Sequence, residues 1–105
     1  MDKQTTSLKV IGDVSIPVNR LVVNPNDGYD LGLLNSAHPV KLHGWTNAPN
    51  GTSNNGYLFD GQLVQQNDCH LGTVVMSMKL LSQLGKPKSV RLSIEANRLS
   101  IDRTD

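Results

Sequence analysis

Apolar and polar residues alternate with a period of two along much of this chain, the signature of half-buried strands rather than helices. Leu8 and Val10 flank Lys9, and Val14, Ile16 and Val18 alternate with Ser15, Pro17 and Asn19. Val40 and Leu42 alternate with Lys41 and His43 and run into Gly44-Trp45. Val90, Leu92 and Ile94 alternate with Arg91, Ser93 and Glu95, and Leu99 and Ile101 with Ser100 and Asp102. This last pair predicts a hairpin turning at Ala96-Asn97, where Asn97 tolerates a positive φ. Leu21-Val22-Val23 reads as another short strand. Pro17 donates no amide hydrogen, so a strand over residues 14–18 is expected at a sheet edge or with a bulge.

Turn signals divide these runs. Asn24-Pro25-Asn26-Asp27-Gly28 reads as a turn, with proline fixing one φ and glycine allowing a positive one. Tyr57-Leu58-Phe59 and Gln62-Leu63-Val64 bracket Asp60-Gly61, which predicts a tight hairpin. Residues 46–56, TNAPNGTSNNG, read as a long polar loop, a kind of segment that is uncommon and often functional. Residues 1–6 read as a frayed polar terminus. The one mixed segment is 73–84. Its β-branched start predicts a strand to about residue 77, and Val74, Met78, Leu81 and Leu84 suit a short helix ending at Gly85. A faint internal echo also links Leu31-Gly32-Leu33 and Val40-Lys41-Leu42 to Leu84-Gly85-Lys86 and Val90-Arg91-Leu92. The reading is a single domain over 1–105, mainly β (α+β at most). It is a small antiparallel barrel or two-layer sheet of about six or seven strands with one short helix.

Composition narrows the function classes. At 105 residues, 37% hydrophobic and net charge +1, the chain can bury one core and is not disordered by charge or polarity. Cys69 is alone, which excludes an internal disulfide. The start Met1-Asp2-Lys3-Gln4-Thr5-Thr6 lacks the apolar stretch of a signal peptide, and no run matches a membrane span, so cytoplasmic is the default expectation.

Candidate chemistry is sparse. Asp68-Cys69-His70 gathers reactive groups, but neighbours on a strand point to opposite faces, which argues against Cys69 and His70 as a nucleophilic pair. His38, His43 and His70 lack the close pairing of zinc ligands. Asp13, Asp27 and Asp60 fit turn positions, and glycines occur singly, so neither paired-carboxylate chemistry nor a phosphate loop is indicated. The reading favours a non-enzyme, an enzyme built on Cys69 with the distant His38 or His43 being the third option, and no metal or cofactor is expected.

Two binding leads remain. Trp45 and Tyr57 flank the amide-rich stretch. With Asn47, Asn50, Asn54 and Asn55 they make a candidate site for a polar ligand or an unidentified protein partner. The segment 79–105 is basic, with six cations against three acids. There Lys86, Lys88, Arg91 and Arg98 make an alternative candidate, a phosphate-contacting surface of a dimeric nucleic-acid-binding regulator. Residues from about Met76 to Asp102 resemble the AbrB or SymE type of swapped-hairpin transcription factors. The corresponding pieces are Leu84-Gly85, Val90-Arg91-Leu92 and Leu99-Ser100-Ile101. The resemblance covers about a quarter of the chain and departs at Lys88-Ser89, where the family usually has Gly-Asp, and in lacking a basic N-terminal strand. It implies a DNA-binding dimer. Strand edges, such as one at Pro17, likewise make a homodimer an expectation.

Overall fold

A computed structural model describes residues 3–33, 36–47 and 53–104. In chain order the elements are β1 (Lys3–Gln4), β2 (Leu8–Asp13), β3 (Arg20–Val23), α1 (Pro25–Asp30), β4 (Ala37–Asn47), β5 (Ser53–Gln65), β6 (Thr73–Ser77), α2 (Met78–Gln83), β7 (Ser89–Glu95) and β8 (Arg98–Arg103). The strands form one sheet in the order β1-β7-β2-β6-β3-β5-β4-β8, and β8 also pairs with β7. That last pairing closes a barrel of seven strands, β2 to β8. The mainly β small barrel is thus as the alternation implied, because each strand offers one apolar face and closure buries all of them together. Leu8, Leu21, Leu42, Leu63, Met76, Leu92, Leu99 and Ile101 fill the interior with no exposure. Among the described residues no helix is long and apolar enough to cross a membrane.

The faint sequence echo corresponds to a real repeat in the topology. β2-β3-α1-β4 and β5-β6-α2-β7 have the same order of elements. β2 runs parallel to β6, as β5 runs parallel to β3. β2 is antiparallel to β7, as β5 is to β4. β3 and β6 meet antiparallel, with Val22 opposite Val75. Each helix is followed by a glycine at positive φ, Gly32 at 73° and Gly85 at 80°, the left-handed residue that ends a helix at low cost. Since β3 and β6 pair only with strands of the opposite half or with each other, neither half can complete its sheet alone. β8 has no counterpart. It bridges the halves, parallel to β4 and antiparallel to β7.

Several local readings differ from the structure, each because a distant contact outranks a local preference. Residues 14–19 are turn, not strand. The Asp13 carboxylate accepts from the Ser15 amide at 2.8 Å and hydroxyl at 2.6 Å, a side-chain turn that ends β2 and leaves Val14 88% exposed. The edge argument from Pro17 goes with it. Asn24–Gly28 opens α1 instead of making a simple turn. Asn24 caps it by accepting the Asn26 amide at 2.9 Å, and Pro25 starts it. The chain accordingly has two short helices rather than one. Asp60 and Gly61 lie inside β5, with no turn between the flanking apolar runs. The N-terminus is stitched down from Lys3: β1 pairs with β7, and Thr5 is buried.

The C-terminal half follows its pattern closely. β6 passes directly into α2, whose cap is Ser77, accepting the Leu80 amide at 3.0 Å. The β7–β8 hairpin turns at Ala96-Asn97, but the positive φ (55°) falls on Ala96 rather than Asn97. A positive φ at the first of two central residues is the II′ arrangement that matches strand twist. This hairpin pairs with β2 and β4 of its own chain.

Candidate functional site

β4 and β5 are the two longest strands, of 11 and 13 residues, and they outrun the barrel. The pairing of β4 with β8 covers only Lys41–His43, and that of β5 with β3 only Gln62–Gln65. Beyond those points β4 and β5 pair with each other alone. Four residues of β4 past His43 extend about 13 Å at strand rise. They form a two-stranded ribbon, and the longest dimension of the molecule is 40 Å.

Gly44 sits where the ribbon leaves the barrel. A Cβ there would come within 2.9 Å of Leu84 Cδ2 and 3.4 Å of Leu58 Cδ1, so the missing side chain lets α2's end pack against the ribbon's foot. A register irregularity between Leu42 and His43 twists the same point.

The register gathers most of the first candidate set. Trp45 pairs with Asn55, His43 with Tyr57, and Asn47 with Ser53, alternating with Thr46 opposite Asn54. Trp45, Asn47, Asn54, Asn55 and Tyr57 therefore all lie within the paired register of the ribbon. Asn50 lies outside the described residues. The stretch 46–56 is therefore strand at both ends, with Asn47 closing β4 and Ser53 opening β5. Amide-rich composition reads as loop locally, whereas ladder bonds to a facing strand are invisible to it.

The second candidate set is spread out. Arg91 lies directly opposite Asp102, and Arg98 directly opposite Glu95. The two arginines stand at opposite ends of the hairpin. Lys86, at φ 55°, and Lys88 lie in the connection before β7. Across four strands the register lines up Asp60, Lys41, Arg98 and Glu95, two cations between two acids. Cross-strand opposites of this kind attract one another and offset the positive potential that a phosphate would feel.

His43 stands at the foot of the ribbon. Partial burial holds its imidazole below the usual pKa of 6.5, with Arg98 and then Lys41 adding repulsion. The unfolded chain therefore takes up a proton first as pH falls, and stability drops as pH goes below about 6.5. Urea midpoints measured at pH 7.5 and pH 5 should fall on acidification, and His43→Gln should flatten that fall. An unchanged slope in the variant would assign the acid sensitivity elsewhere.

Cys69 is buried, and its thiol points at the carbonyl oxygens of Thr73 at 3.5 Å and Val22 at 3.7 Å. Burial raises its pKa, and the carboxylates of Asp27 and Asp68 push it further up. A thiol kept protonated this way is a poor nucleophile. His70, next to it, is exposed. Among the described residues no group of three His, Cys, Asp or Glu side chains could hold a metal ion.

No protein-family model matches this chain, and neither the curated proteins nor the solved structures give a significant match.

Proposed function

We propose that this chain is a non-enzymatic binding module whose β4–β5 ribbon, carrying Trp45, Asn47, Asn54, Asn55 and Tyr57, engages a protein partner. The observation that carries this reading is the length of the ribbon past its last barrel neighbours. Among the described residues neither strand has a second strand partner there, and such edges are a surface that another extended chain or a flat protein face can use. Strand edges suit extended or flat partners, whereas small ligands are held in concave sites. This favours a protein over a small polar ligand. Tryptophan and tyrosine supply large rigid contact area at little entropic cost, and asparagine supplies both donors and acceptors. A second copy of this chain is one partner that such edges suit.

A photo-crosslinking residue placed at Trp45 should capture one discrete protein, while the same residue at Lys79 on α2 should not. Trp45→Ala and Tyr57→Ala should lose that partner with unchanged unfolding midpoints. A folded Trp45→Ala chain that keeps the partner overturns the reading. The alternative, a dimeric regulator holding nucleic acid through Lys86, Lys88, Arg91 and Arg98, draws less support, since both arginines face acids across the hairpin. It requires a DNA duplex to be bound at low salt and released at high salt.

A further inference from the structure

A cavity of about 260 Å³ lies between the segment after α1 and the end of β7, lined by Lys3, His38 and Glu95 over Leu31, Leu33 and Ile94. It adjoins a more open hollow bounded by Lys3, Tyr29 and Asp30. We propose that this cavity binds a small zwitterion of amino-acid or dipeptide size, its carboxylate at Lys3 and its ammonium at Glu95.

Three observations support the assignment. First, the exposed Lys3 side chain lies along the Gly32 side of the cavity. The Lys3 backbone pairs with Ile94 in β1–β7, and its stem lies across Gly32, where a Cβ would come 2.8 Å from Lys3 Cδ and 3.2 Å from Cε. Gly32 has φ 73°, so it ends α1 and leaves room for the lysine stem at once. Second, the described lining includes a lysine and a glutamate besides His38. A zwitterion answers both the lysine and the carboxylate, the latter shared with Arg98 across the hairpin, whereas a singly charged ligand answers one. Third, the floor is apolar. Leu31, Leu33 and Ile94 are each buried to 8% exposure or less. Binding sites for drug-sized molecules run from about 300 to 1,000 Å³, so this volume suits a smaller body.

Neither Lys3 nor Glu95 belongs to the ribbon, so this proposal stands or falls apart from the one above. The test is amide chemical-shift titration of the whole chain with alanyl-alanine, its N-acetyl form and its C-terminal amide. The free dipeptide should give saturable shifts at residues 31–33 and 94–96. Each blocked form should bind at least about tenfold more weakly, the scale of one charge-assisted contact. Lys3→Gln should erase the difference between the free dipeptide and its amide, and Glu95→Gln that between the free and acetylated forms. No saturable shift, or equal binding of all three peptides to the parent chain, overturns the proposal without any variant having to fold.

Discussion

Gly61→Ala is expected to cost about 3 kcal/mol, the upper range for forcing atoms into a filled site, and to lower the unfolding midpoint by about 15 °C. Gly61 is buried in the middle of β5, paired with Val40. A Cβ there would collide with the carbonyl oxygen of Asn19, and would lie 2.9 Å from Leu42 Cδ1 and 3.2 Å from the Asn19 carbonyl carbon. A flexible side chain could swing aside, but the first obstacle is backbone. That same Asn19 oxygen accepts the Gln62 amide at 2.8 Å, the contact that sets the β3–β5 register. Relieving the clash means pulling β5 from the turn before β3, which loses the bond as well. Gly72→Ala is the matching control. Gly72 has φ 80° and open space around its Cβ position, so only backbone strain acts there, about 1 kcal/mol. Denaturant midpoints for both variants decide the point. Equal losses would mean that space at Gly61 is not the constraint.

Thr5→Val is expected to cost about 2 kcal/mol, although the two side chains are nearly the same shape. Between β1 and β2 the chain runs along β7 with a break in the ladder. Thr5 spans it. Its amide donates to the Leu92 carbonyl at 2.8 Å, and its hydroxyl accepts the Leu92 amide at 3.1 Å while donating to the Thr6 carbonyl at 2.7 Å. A side-chain oxygen thus stands in for a backbone acceptor on a strand whose Leu92 has no exposure. Valine would keep the packing and strand the Leu92 amide without a partner. Hydrogen exchange gives a separate readout: the Leu92 amide should lose protection in the variant while those of Leu21 and Met76, on the far side of the barrel, keep theirs. Full protection at Leu92 would show that water or a shifted backbone replaces the hydroxyl.

Both positions show why part of the molecule was hard to read. Gly61 follows an aspartate between two apolar runs, and that local signal is a hairpin turn. The structure uses the glycine for close approach to Asn19, which is 42 positions away. Thr5 sits in a polar run that reads as a loose end, and its role depends on Leu92. The candidate site follows the same division. Trp45, Asn55 and Tyr57 stood out as chemistry, but their place in one paired ribbon comes from the pairing of β4 with β5. Nothing in the pattern around Lys3, Gly32 or Glu95 singles them out, because the cavity they line exists only where β1, β7 and the segment after α1 meet.

The sequence by itself determined the strand character, the single apolar core, the β7–β8 hairpin and the step from β6 into α2. These rest on alternation and on capping, which act within a few residues. It also carried, faintly, the echo that became a repeat of two interleaved halves. Only the tertiary structure decided which strands pair, where the barrel closes, and that β4 and β5 run on past it. The physical reason is that ladder bonds and close backbone approaches join residues far apart in the chain. Glycine, threonine and asparagine look the same locally whether they make a turn or serve such a contact.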